Sequence, residues 1–179
     1  MKKLVFPKFK WNIERSASLF AILLSLGTLV VFVYQTRLIR QQQYASVTPY
    51  LVLGTSKIGS GEMEITLENK GIGPAIVKDV YLKYQGKKYE MSPATFLKQI
   101  LIIPDSLIDF TYSEIHPGLF LSAGEELEVF KASDSEAVGD YLNKTFFTDE
   151  ARIYIVYESI YHEQWEITST SLSPIKISN

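Results

Sequence analysis

Between Ala17 and Tyr34 the chain reads ASLFAILLSLGTLVVFVY, 18 residues without a charge. No other feature limits the fold so severely. At roughly 1.5 Å per helical residue, such a run is about long enough to cross a ~30 Å hydrocarbon core. Inside lipid every backbone group must pair within its own segment, so the run is expected to be a helix. It is apolar on every face, unlike a helix that packs one side on a soluble core. Trp11 and Tyr34 flank it as interface anchors, and Gly27 is tolerable within it.

A cleaved signal peptide would have a shorter apolar region followed by small residues at a cleavage site. Here QTRLIRQQQ comes next, with Arg37 and Arg40 in that place, so an uncleaved anchor is expected. Lys2, Lys3, Lys8, Lys10 and Arg15 precede the run against the two arginines after it. This bias orients the N-terminus to the cytoplasm and the body to the outside. Ala17, Ala21 and Ser25 recur every four residues on one face and are candidates for helix–helix contact in the membrane.

The net charge of −2 hides an asymmetry. Up to residue 43 there are seven basic side chains and one acidic, whereas the remainder carries 11 basic and 19 acidic. A basic terminus suits an anionic lipid surface. The acidic body argues against nucleic acid as a partner, because phosphate binding needs clustered Lys and Arg. The chain has no cysteine, which removes disulfides, thiolate metal sites and thiol nucleophiles.

From Thr48 onward the pattern changes to short alternating runs. EMEITLEN sets Met63, Ile65 and Leu67 on one face and Glu62, Glu64, Thr66 and Glu68 on the other, a half-buried strand. TPYLVLGT reads as a strand before it. AIVKDVYLKY with YEM reads as a hairpin, and GLFLSAGEELEVF as a pair turning at Ala123-Gly124. ARIYIVYES and EQWEITSTS form the last pair. Seven or eight short strands without intervening helices predict an all-β, antiparallel β-sandwich. Two short helical insertions are expected, SPATFLKQILIIPD with Ser92 as cap and Pro93 as first helical residue, and SDSEAVGDYLNK. Phe96, Leu97, Ile100 and Leu101 share one face of the first, and either cap the core or meet a partner. The expected divisions are a basic cytoplasmic N-terminus (1–16), a transmembrane helix (17–36), a helical juxtamembrane linker (37–47) and the β-sandwich (48–179).

The segment LENKGIGPAIVKDV places two glycines and a proline between two apolar runs. A phosphate-binding loop needs more glycines, or a Gly-Lys-Ser/Thr ending, and must open a helix. The residues after Pro74 read as strand, so the segment is expected to be a corner in which Asn69 and the glycines adopt positive φ.

LENKGIGPAIVKDVYLKYQGK resembles uncharacterised bacterial single-pass membrane proteins in which a strand ends in Asn and Gly-x-Gly-Pro-Ala comes after it. LSAGEELEVF and IVYESIYHEQWEITS resemble their companion stretches. The resemblance implies a bacterial membrane-anchored sandwich, similar to immunoglobulin-like domains, and carries over no catalytic residue.

Motifs of chemistry are sparse. His116 and His162 lack metal-ligand partners at helical spacing, and no Gly-x-Ser-x-Gly elbow is present. Glu125, Glu126, Glu128, Asp134 and Glu136 form an acidic run without EF-hand spacing, read as a solvated edge. Tyr154, Tyr157, Tyr161 and Trp165 are expected in the core or in cross-strand pairs, any outward ones forming a contact surface. No catalytic residue, cofactor or metal is therefore expected. The expected function is recognition or assembly as a subunit or accessory of an envelope complex in a bacterial inner membrane, with the bilayer and a protein partner or second copy as partners. A self-associating sensor responding to a ligand and an envelope hydrolase are the rival readings.

Overall fold

The computed structural model describes residues 13–56, 63–101, 109–133, 136–147 and 151–177. The chain divides between Gln43 and Tyr44 into two compact units. Most of the first is helix α1, Ile13–Ala45, which continues past the apolar run and has no buried residue. It is long and apolar enough to cross a membrane. Ser18, Thr28 and Thr36 each donate to the carbonyl four residues back, at 2.9 Å, so these hydroxyls are satisfied within the helix. Trp11 and the basic side chains up to Lys10 lie outside the described residues.

The second unit holds ten strands among the described residues. They are β1 (Leu51–Ser56), β2 (Met63–Asn69), β3 (Ala75–Tyr84), β4 (Lys87–Tyr89), β5 (Asp109–Tyr112), β6 (Phe120–Leu121), β7 (Glu126–Ser133), β8 (Ala151–Glu158), β9 (Gln164–Thr168) and β10 (Ile175–Ile177). They form two antiparallel sheets, one ordered β1-β2-β7-β5 and the other β10-β9-β8-β3-β4, with β6 also paired to β3. The alternation read from the sequence sets which face is inward. Ile65 and Leu67 of β2, Val80 and Leu82 of β3, and Ile153, Ile155 and Tyr157 of β8 are all buried in one apolar cluster. The Tyr157 hydroxyl accepts the N–H of Leu51 at 3.2 Å and so ties the two sheets together. Burial pushes that phenol well above the ordinary tyrosine range, which keeps it a neutral acceptor.

GLFLSAGEELEVF is not a hairpin. β6 pairs with β3 while β7 pairs with β2 and β5, so the turn at Ala123-Gly124 carries the chain from one sheet to the other. Its sequence carries the Gly at positive φ that a hairpin would also need.

Helical insertions are few. Ser92 caps α2 (Pro93–Phe96) by accepting the Thr95 N–H, and Pro93 opens it, as its sequence predicts. The chain then widens into a π turn, Leu97–Leu101, instead of continuing as an α-helix; 102–105 lie outside the described residues. α3 (Glu136–Phe147) buries Leu142 and Phe146, one turn apart. Phe96 meets Tyr84, Tyr89 and Phe146 edge-on at 5.4–6.3 Å, closing the core at the end where β3 runs into β4.

Candidate functional site

Asn69, the last residue of β2, is fully buried and organises the corner after it. Its Oδ1 accepts the N–H groups of Tyr50 and Gly71, both at 3.1 Å. Its Nδ2 donates to the carbonyls of Gly73, Leu121 and Ser122 at 2.9–3.2 Å. One side chain thus joins the start of β1, the corner and the β6–β7 turn. Thr48 O accepts from both Ile72 and Gly73, and Ala75 then begins β3, so no helix N-terminus faces the loop.

The expectation of positive φ at Asn69, Gly71 and Gly73 is not met. Among the described residues positive φ falls at Gln85, Gly86, Gly118, Gly124 and His162. Gly71 and Gly73 are required for a different reason. A Cβ at Gly73 would overlap the Val47 main chain, and one at Gly71 that of Thr48, Pro49 and Tyr50. Close backbone approach, not handedness, excludes a side chain there.

The second constellation lies at the β8–β9 turn, on the same end of the body. Lys78 is the extra residue of a bulge in β3, where Val77 pairs with Tyr157 and Asp79 with Val156. The bulge aims its ammonium at the nearly buried carboxylate of Glu158, 3.4 Å away. His162, held at positive φ, brings Nδ1 to 3.2 Å from the same carboxylate oxygen. Burial pushes the Glu158 carboxyl up, but hydrogen bonds from His162, Lys78 and Gln164 outweigh it and hold the group below the ordinary carboxylate range. Such a carboxylate is a weak proton acceptor. Ser159 is equally committed, its Oγ taking the Tyr161 N–H at 3.2 Å. Beside this turn runs a groove of about 540 Å³, lined by Tyr44, Tyr161, His162, Glu163, Gln164, Lys176 and Ile177. Its charges are paired, Lys176 to Glu163 at 2.5 Å.

A third feature, of which the sequence indicates only Tyr154 and not Tyr81 or the lysines, lies on the outer face of the larger sheet. Tyr81 and Tyr154, directly paired across β3 and β8, stack at 4.7 Å. Lys88 lies over the Tyr81 ring at 4.3 Å and Lys83 over Tyr154 at 4.6 Å. Tyr81 donates to Glu166 at 3.0 Å, and its hydroxyl is pushed upward by burial and then by that carboxylate. Alternation in both strands marks these tyrosines as outward, but their register across strands is not written in either one.

Of the sequence candidates, Ala17, Ala21 and Ser25 are exposed along α1. Phe96 and Leu97 are buried, and Ile100 and Leu101 pack partly buried against the same core. Tyr157 and Trp165 stack in the core at 5.8 Å, whereas Tyr161 is exposed. His116 is exposed, with Nδ1 3.0 Å from the Pro117 carbonyl. In the acidic run, Glu125 accepts the Ser122 N–H and Glu128 the Thr111 hydroxyl, while Asp134 lies outside the described residues. Among the described residues, no three acidic or histidine side chains gather as a metal site would need. Comparison with protein-family models, with curated proteins and with solved structures finds no match.

Proposed function

We propose that the chain is a single-pass protein of a bacterial inner membrane, presenting a non-catalytic immunoglobulin-like β-sandwich to the periplasm. Its work is recognition or assembly, as a subunit or accessory of an envelope complex. The observation that carries this reading is the use made of the body's polar side chains. Asn69, Glu158, Ser159 and Ser169 all hold main chain or neighbouring side chains in place. Groups committed in this way are poorly placed to abstract a proton or attack a substrate. The long apolar helix supports the anchor, and the excess of Lys and Arg before it supports the orientation.

Purification of the full chain from membranes in mild detergent tests this. A stoichiometric partner that stays bound supports assembly work. A lone oligomer, dispersed by bulky substitutions at Ala21 and Ser25, would favour the self-associating sensor. Turnover of an ester or glycoside that His162→Ala abolishes would overturn the non-catalytic reading.

A further inference from the structure

The end of the body at which the chain enters carries an unusual share of exposed apolar side chains. Ile72 is 68% exposed, Phe120 53%, Ile160 45% and Tyr161 42%. They converge from three separate segments. Ile72 lies in the corner that bonds to Thr48, and Phe120 pairs with Ile76, the second residue of β3. Ile76 also pairs with Glu158, just before the turn that bears Ile160 and Tyr161. The Tyr161 ring meets Tyr44, the first residue of the body unit, at 4.7 Å. The corner, β6 and the β8–β9 turn therefore surround the point of entry.

With α1 as a membrane anchor, on which this surface depends, connectivity restricts what that end can meet. Ala45 stands about 20 residues from the middle of the apolar run, hence about 30 Å along the helix. Half a bilayer with its headgroups is about 20–23 Å. The usual tilt of about 20° brings the helix end closer still. The entry end is therefore held within about 10 Å of the headgroup layer, close to the reach of a large side chain. A surface tethered there loses little further freedom on contact. Tyrosine and branched apolar side chains are also the types that settle at a membrane interface.

We infer that Ile72, Phe120, Ile160 and Tyr161 form a lipid-contacting surface that rests in the headgroup layer of the bilayer crossed by α1. The natural absence of cysteine makes the test clean. Single cysteines at positions 24, 72, 120, 160, 85 and 172 of the full chain are labelled with an environment-sensitive fluorophore. Each protein is then reconstituted in phosphatidylcholine–phosphatidylglycerol vesicles with or without nitroxide-labelled lipid. Position 24 reports the span. Gln85 and Leu172 are controls away from the entry end, and Leu172 is 97% exposed, so exposure alone cannot explain a difference.

The expected result is at least about twofold quenching at 24, 72, 120 and 160, with little at 85 or 172. Ile160→Asp, which should leave near-ultraviolet circular dichroism unchanged because the site is exposed, should relieve quenching at 72. Quenching at 24 with none at 72, 120 and 160 overturns the surface and leaves the anchor standing. Absence of quenching at 24 overturns both. Equal quenching at every position, or a disulfide between copies at 160 without lipid quenching, also overturns the surface, the latter in favour of a second copy.

Discussion

At the scale of single residues, the corner replaces a ligand with the protein's own main chain. The spacing of Gly71 and Gly73 invites comparison with phosphate loops, but their missing side chains make room for Val47 to Tyr50. Gly73→Ala should therefore destabilise the body by about 2 kcal/mol or more, despite an ordinary φ, because backbone cannot move aside as a side chain tip would. Denaturation of the full chain in detergent, followed by near-ultraviolet circular dichroism, measures this; an unchanged midpoint would contradict the close approach. Glu158 makes a pH-dependent contribution. Its folded-state pKa lies below the ordinary value of 4.5, so its stabilisation is present above that value and is lost as pH falls through the lowered one. Lys78 and His162 are exposed and screened by water, so Glu158→Gln should cost only about 1 kcal/mol at neutral pH. The gap between the two proteins should narrow as the pH falls below 4.5; a gap of constant size throughout the acid range would remove Glu158 as the titrating group.

At the scale of elements, the first helical insertion is built into the core from one side. Leu97→Asp should destabilise the body by roughly 3 kcal/mol or more, because it buries a charge without a partner. Gln99→Asp, two residues on and exposed, should shift stability by less than about 0.5 kcal/mol. Equal melting temperatures for the two would place this segment outside the core. Such contrasts explain what the sequence could and could not convey. Strands β2, β3, β8 and β9 alternate over five residues or more, so period 2 exposes them. β10 has three residues and β5 four, too few for a period to register. The β6–β7 turn has hairpin chemistry between strands of different sheets, a distinction made by distant partners and not by the turn. The site was less legible than the fold. Asn69 is recognisable as the end of a strand, but the five backbone groups it binds come from three segments. Likewise, the pairing of Lys78 with Glu158 depends on a bulge that no local residue announces.

At the scale of the whole molecule, the apolar helix and the surplus of Lys and Arg before it set an expected direction across the membrane. Protease added to the outside of spheroplasts should digest the body and spare α1, and the body's survival until lysis would reverse that direction. The pairing of the sheets also has a consequence in time. Leu51 and Tyr157 are joined across 106 residues, and β3 finds its main neighbour only in β8. A ribosome adds about 5–20 residues per second, so β3 waits roughly 4–16 s for that neighbour to be made. α1 is complete before any strand has been synthesised. During biosynthesis the body is therefore an open chain for several seconds, its unpaired strand edges available to other chains. Any factor that guards it must act in that interval, after α1 has been made and before β8 is complete.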